Sequence, residues 1–266
     1  MRIIRFEYNG DIFQGMQMDD GRARLIEGPI TGDFRVSERA LPIGRLLAPI
    51  IPTDILCIGL NYRDHAAESG SSIPNHPMLF IKSSNTLANP GDAVAVPRLS
   101  SMIDYEAELV IVIGKTAKHV KKDDAMEFVL GYTCGNDISA RDWQRDKSLG
   151  GGQFARGKSF DGFCPLGPAI VTRDEIPDPN NLRIRFELNG QTMQDHTTKD
   201  MIFDVPTLIA SLSSTLTLRP GAVILTGTPH GVGFARTPPV WLKPGDKCCV
   251  EIEHIGRLEH TMTREE

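Results

Sequence analysis

The 266-residue chain predicts a β-rich α+β fold, with a small N-terminal β-meander ahead of a larger strand-dominated domain. Three observations predict it. Short alternating apolar runs outnumber stretches of helical periodicity. Asn-Gly and Asp-Gly steps separate several of those runs at hairpin spacing. The few helical segments are scattered and do not alternate with strands as a wound α/β sheet requires.

In chain order, residues 3–8, 12–18 and 22–26 read as strands joined by Asn9-Gly10 and Asp20-Gly21. The stretch 31–50 is mixed, with a short helix expected over 43–47. Pro49 and Pro52 mark a boundary that divides residues 1–50 from a domain over 53–264. Residues 55–59 form a buried strand, residues 61–68 have helical propensity up to Gly70, and residues 78–82 form another strand. After Gly114, Asp123 or Asp124 is expected to cap a helix running through Leu130. Residues 131–137 read as a strand ending on an acid. Residues 138–146 are polar and helical, until Gly150-Gly151-Gly152 breaks them. A strand covers 169–172, and residues 183–188 and 191–193 form a hairpin around Asn189-Gly190. Asp204 caps a helix that has Pro206 in its first turn and Leu208, Ile209, Leu212 and Leu216 along one stripe. A strand over 222–226 and a hairpin of 247–253 with 257–262 close the chain.

The net charge of -5 argues against nucleic acid or an anionic membrane as partner. No apolar run approaches the length of a spanning helix, and the first ten residues lack the features of a secretory or transit peptide. Cys57, Cys134, Cys164, Cys248 and Cys249 are odd in number and form no C-x-x-C. They read as reduced thiols in a cytoplasmic compartment, the mitochondrial matrix being the alternative, and as neither a disulfide framework nor a zinc site.

The chemistry concentrates in Asp104-Tyr105-Glu106-Ala107-Glu108-Leu109-Val110-Ile111-Val112-Ile113-Gly114. The run 109–113 is apolar on both alternating faces, as in a strand covered on both sides. Glu106 and Glu108 are two apart and share a face with Val110 and Val112. Two anions running into a core need a basic side chain, shared protons or a divalent cation. The stretch equally fits a strand that emerges into water before Leu109, with both glutamates solvated. Asp137, at the end of a strand, either caps a turn or joins them. In the second case three carboxylates make a hard-cation site for Mg²⁺, Mn²⁺ or Ca²⁺.

Two other motifs lack the context they require. Gly152-Gln153-Phe154-Ala155-Arg156-Gly157-Lys158-Ser159 satisfies the phosphate-loop pattern, but a polar segment precedes it and Phe160-Asp161-Gly162-Phe163-Cys164-Pro165 cannot begin a helix. Gly227-Thr228-Pro229-His230-Gly231-Val232-Gly233 has the glycines of a dinucleotide loop at the wrong spacing. It reads as a tight turn or as a close approach of backbone to ligand. His65 and Glu68, three apart on a helical segment, are either a solvated pair or an oriented general base. Lys158 is either a loop lysine or a cation for a developing oxyanion.

Together these segments resemble the fumarylacetoacetate hydrolase family. The resemblance is carried by Gly59-Leu60-Asn61-Tyr62-Arg63-Asp64-His65-Ala66-Ala67-Glu68, by Pro77-Met78-Leu79-Phe80-Ile81-Lys82 and by Asp104 to Leu109. It continues through Asn136-Asp137-Ile138-Ser139-Ala140-Arg141-Asp142-Trp143-Gln144, Gly157-Lys158-Ser159-Phe160-Asp161 and Thr226 to Gly233. Residues 234–246 look most like the domain-containing-protein-2 branch. The resemblance implies a mixed β-sandwich roll for the C-terminal domain, a homodimer, and small 2-oxo or 1,3-diketo acids as substrates. It also implies Mg²⁺ or Mn²⁺ held by Glu106, Glu108 and Asp137. By the same resemblance Lys158 contacts the enolate oxygen, Arg141, Gln144 and Thr228 bind the substrate's carboxylate or oxo groups, and His65 with Glu68 activates water. Residues 1–50 share none of these motifs, and His230 receives no role.

The implied activity is a metal-dependent hydrolase cleaving a C–C bond of an acylpyruvate or fumarylpyruvate through a metal-held enolate. Oxaloacetate keto–enol tautomerisation or decarboxylation, or hydration of a 2-oxo-alkenoate, would use the same site. A non-catalytic ligand-binding member is the reading from another class.

Overall fold

Backbone that does not form helices meets its hydrogen-bonding demand by pairing, and the described residues do so in two large sheets and one small one. The computed structural model describes residues 1–149 and 152–266. Gly150 and Gly151, two of the three glycines expected to break the helix, lie outside the described residues.

The N-terminal strands β1 (Arg2–Tyr8), β2 (Asp11–Gln17), β3 (Arg22–Glu27) and β4 (Arg35–Pro42) form the expected meander, lengthened by one strand. Asn9 and Gly10 both adopt positive φ, 53° and 87°, as the two central residues of a type I′ hairpin turn must. The helix expected over 43–47 is instead the strand β5 (Arg45–Leu47), paired with β1 through Arg5↔Leu47, Phe6↔Leu46 and Glu7↔Arg45. A segment this short cannot recover the cost of helix nucleation, whereas pairing on β1 is immediate.

β6 (Ile55–Gly59) leads into helix α1 (Arg63–Glu68), and the chain returns through β7 (Met78–Lys82), β8 (Leu87–Ala88) and β9 (Ala93–Val96). The short β10 (Ile103–Asp104) precedes β11 (Ala107–Ile113), every residue of which is buried. The helix expected from Asp123 or Asp124 is a 3₁₀ helix, Lys122–Phe128, with no side-chain cap. It ends early because Val129 already opens β12 (Val129–Asn136), which pairs with β11. Of the helix expected over 138–146, only α2 (Arg141–Arg145) forms, since Ser139 and Ala140 make β13 (Ser139–Ala140) against β10. α3 (Phe154–Lys158) ends on the lysine of the phosphate-loop pattern instead of following it, consistent with rejecting nucleotide binding by that motif.

β14 (Cys164–Thr172), β15 (Arg183–Leu188), β16 (Gln191–Thr197), α4 (Val205–Thr215), β17 (Val223–Leu225), β18 (Lys247–Ile252) and β19 (Gly256–Arg264) complete the chain. Asp204 caps α4 as expected, its carboxylate accepting the Thr207 N–H at 2.9 Å. The main sheet runs β4-β3-β2-β1-β14-β12-β11-β17-β6-β7, and a second runs β16-β15-β18-β19-β9. The face of β11 bearing Leu109 and Ile111 packs in one cluster with Ile184, Phe186 and Val250 of the second sheet. Its other face, bearing Val110 and Val112, packs with Cys57, Val223 and Leu225. This mixed two-sheet architecture is the β-rich α+β fold the sequence predicts, and it places the acidic end of β11 inside the molecule.

Candidate active site

Antiparallel register assembles the three carboxylates. Ala107 of β11 stands opposite Asn136 of β12, so Glu106 and Asp137, one step further along each strand, meet at the same end. The Asp137 N–H donates to the Glu106 carbonyl at 2.9 Å, and the Glu106 N–H donates to the Asn136 side-chain oxygen at 2.9 Å. Glu108 is two residues along on the face of Glu106. Carboxylate oxygens of Glu106, Glu108 and Asp137 all lie within 4.8 Å of one another, and all three residues are buried. The solvated-glutamate alternative is therefore excluded.

Three cations meet these acids. Lys158, at the end of α3, donates to Glu106 Oε2 at 2.7 Å and to Asp137 Oδ2 at 2.5 Å. Lys82, at the end of β7, donates to Asp137 Oδ1 at 2.6 Å and to the Ile138 carbonyl at 3.1 Å. Arg141, at the start of α2, reaches Glu106 Oε1 at 2.6 Å, Asp104 Oδ2 at 2.8 Å and Gln144 Oε1 at 3.0 Å. Burial alone would raise Glu106, but the Arg141 guanidinium and the Lys158 ammonium hold its carboxyl far below the usual range. Burial would likewise depress Lys158, yet the charges of Asp137 and Glu106 keep it firmly protonated. Glu108 differs. Burial, followed by the charges of Asp137 and Glu106, pushes its carboxyl well above the usual range. Its Oε2 accepts the Gly227 N–H at 2.7 Å, and among the described residues it has no ionic partner.

This donor set fits a hard divalent cation. It consists of carboxylate oxygens, and each oxygen held by a lysine or arginine keeps a second lone pair. Glu108 is the buried carboxyl with which none of the described cations forms an ion pair, and a divalent ion would stabilise its ionised form. Glu106, Glu108 and Asp137 are the residues that would hold the ion.

His65 and Glu68 also come together, His65 Nδ1 lying 2.6 Å from Glu68 Oε1. The Gly231 N–H donates to both oxygens of Glu68, at 2.9 and 3.1 Å, and fixes that carboxylate. With Nδ1 committed to Glu68, Nε2 is the basic nitrogen. Thr228 is held by Gln194, whose Nε2 donates to its hydroxyl oxygen at 2.8 Å. His65, Glu106, Glu108, Arg141, Lys158 and Thr228 all face a single cavity of about 200 Å³, below the roughly 300–1,000 Å³ of clefts that enclose drug-sized ligands. Gln144 lines the same cavity, whereas Glu68 supports His65 from behind.

Three participants carry no role in the sequence reading. Lys82 ends an apolar strand on a charge, and Asp104 is two residues before Glu106, so both had a local signal. Gln194 had none, because nothing near β16 in sequence indicates that its side chain reaches Thr228.

The family model described as fumarylacetoacetate hydrolase C-terminal matches residues 54–263, and one described as Rv2993c-like N-terminal matches residues 1–49. The chain belongs to the fumarylacetoacetate hydrolase family. Among its relatives it is 48% identical over 234 residues to the fumarylacetoacetate hydrolase domain-containing protein 2 homolog of Dictyostelium discoideum, a match spanning 84% of this chain and 76% of that one. It is 49% identical over 216 residues to the mitochondrial oxaloacetate tautomerase fahd2 of Xenopus laevis, covering 81% of this chain and 67% of the relative. Among solved structures, the 5-carboxymethyl-2-hydroxymuconate delta-isomerase of Mycobacterium smegmatis superposes with a TM-score of 0.88 at 36% identity, over 100% of both chains. The family assignment thus rests on sequence and fold alike, and its relatives include enzymes acting on small acids.

Proposed function

We propose that this fumarylacetoacetate hydrolase family member is a divalent-cation-dependent enzyme that interconverts the keto and enol forms of a small 2-oxo diacid of oxaloacetate type. One observation carries the reading: a single small cavity is lined by Glu106 and Glu108 of the buried carboxylate triad, by the Lys158 ammonium and by an imidazole whose basic nitrogen is set by Glu68. The name of the Xenopus relative supports the same reaction class.

Enolisation moves a proton from C3 of the substrate to its C2 oxygen and places negative charge on that oxygen in the transition state. Lys158, kept protonated by Asp137 and Glu106, supplies fixed positive charge for it. His65 Nε2 is the group available to take and return the C3 proton, with Glu68 stabilising the imidazolium. Arg141 and Gln144 are positioned to orient a carboxylate, and Thr228 to hydrogen-bond an oxo group. A divalent cation bound by Glu106, Glu108 and Asp137 would add charge beside the oxo and carboxylate oxygens. Magnesium or manganese suits those oxygens.

Hydrolysis of a C–C bond in an acylpyruvate or fumarylpyruvate is the second reading, favoured by the His65–Glu68 pair, which is equally suited to activating water. The two separate on one variant. In His65→Ala, C–C cleavage of an acylpyruvate should vanish, while oxaloacetate enol decay, in which buffer acid can deliver the proton to C3, should be slowed but measurable. Lys158→Ala should lower both by at least about 100-fold. Acylpyruvate cleavage that survives His65→Ala would refute the assignment of the pair, and unchanged enol decay in Lys158→Ala would refute the tautomerase reading.

The exposed Met78 and Ile81 lie on β7, at the end of the main sheet, and support association into a homodimer along that edge. The five cysteines are free and buried, which suits a reducing cytoplasmic or mitochondrial compartment.

A further inference from the structure

Three side chains outside the active site converge on one point. Asp64 of α1, His196 of β16 and His230 of the loop after β17 each offer a donor atom, all within 4.8 Å of one another. The two imidazole rings meet edge to face, with centroids 4.8 Å apart. His196 Nε2 lies 3.4 Å from Asp64 Oδ2 and 3.2 Å from Asp200 Oδ2. Yet this buried nitrogen makes no hydrogen bond, because neither oxygen is aligned with an N–H on the ring. His230 Nδ1 is also buried and, among the described residues, without a partner. Idle buried imidazole nitrogens are destabilising as they stand. A protonated His196 between two acids would account for the proximity, but not for the misalignment or for the second idle nitrogen.

We propose that Asp64, His196 and His230 form a second metal site, selective for a Zn²⁺-type cation and separate from the carboxylate triad. Two imidazoles and one carboxylate suit Zn²⁺, whereas Mg²⁺ prefers all-oxygen sites. Asp200 Oδ2 accepts the Asp64 backbone N–H at 2.9 Å, which fixes the start of α1 against the site, and the same oxygen lies beside His196.

The position gives such an ion a consequence. Asp64 precedes His65 in α1, and His230 precedes Gly231, whose N–H holds Glu68. β16 carries both His196 and Gln194, and Gln194 holds Thr228. None of the three ligands lines the catalytic cavity. From outside it, the ion would fasten α1 and the loop that position the His65–Glu68 pair to the strand that holds Thr228.

The test is calorimetric titration of chelator-treated full-length protein with Zn²⁺ in saturating Mg²⁺, so that the carboxylate triad is already filled. One Zn²⁺ per chain should bind, and His196→Ala or His230→Ala should weaken it at least about tenfold. Glu108→Gln should leave that binding in place. Hydrogen exchange across residues 63–68 should slow on Zn²⁺ addition in the parent protein and not in either histidine variant. Circular dichroism identifies any variant that fails to fold, in which case Asp64→Asn serves as the ligand deletion. Absence of Zn²⁺ uptake, uptake indifferent to both histidines, or uptake lost only in Glu108→Gln would each overturn the proposal.

Discussion

Asn136 links the candidate active site to a buried titratable group, His260. Its side-chain oxygen accepts the Glu106 N–H, which fixes the amide so that its nitrogen faces His260 Nε2 at 2.9 Å. His260 must then accept at Nε2, and burial holds its imidazole down at about 4, from an ordinary 6.5. The sign of the resulting pH dependence is fixed. Between those two values the unfolded chain binds the extra proton and the folded chain does not. The stability His260 contributes is therefore complete above pH 6.5 and is lost as pH falls toward 4. Urea unfolding at pH 7 and pH 4.5 should show a loss of up to about 3 kcal/mol from this residue. His260→Gln, which keeps an acceptor for Asn136, should flatten that slope, and an unchanged slope would place the acid sensitivity elsewhere. At this scale the sequence singled out Glu106, Glu108, Asp137, His65 and Lys158 as candidates, since all stand in recognisable motifs, and the structure brings the three acids and Lys158 together. It did not show their partners. Lys82 and Asp104 carry a local signal in the sequence, and Gln194 carries none.

At the level of elements, the loop after β17 does more than turn the chain. Gly227 has φ +96°, and a Cβ there would lie 2.7 Å from the Cβ of Asn61. Its N–H is the hydrogen bond that holds Glu108. Gly227→Ala would therefore strain the loop and shift that N–H. It should destabilise the fold by more than about 1 kcal/mol and weaken Mg²⁺ or Mn²⁺ binding, read by thermal unfolding and calorimetry; metal affinity equal to that of the parent would show that the loop does not support the triad. The hairpins around Asn9-Gly10 and Asn189-Gly190 and the Asp204-capped α4 were legible, because turn and cap chemistry is local. The segments 43–47 and 138–140 were not. Their strand state depends on β1 and β10, partners far away in sequence, and pairing overrides local helical propensity in such short stretches.

Across the whole molecule, the N-terminal meander and the family domain share one sheet. β1 pairs with β14 through Arg2↔Val171 and Ile3↔Ile170, and Ile3, Ile30 and Ile50 belong to the same apolar cluster as Val110 and Val112 of β11. We regard residues 1–50 and 53–264 as two units joined along that edge. Removing the first would leave the β14 edge unpaired and an apolar face open. The fragment 53–264 should then aggregate or run as large oligomers in size-exclusion chromatography, while the full chain does not. A monodisperse, active fragment would show instead that the meander is dispensable.

By itself the sequence determined the strand-rich class, the hairpins, the family, and the candidate residues for the proposed chemistry, because each of these is written in local pattern or contiguous motif. Only the tertiary structure decided that Glu106 and Asp137 stand side by side, that Lys82, Arg141 and Lys158 neutralise part of the cluster while none of them forms an ion pair with Glu108, and that Asp64, His196 and His230 meet. Those facts depend on strand register and on charges brought within a few ångströms from distant parts of the chain, and electrostatic balance in a buried site is a property of distances that no one-dimensional pattern contains.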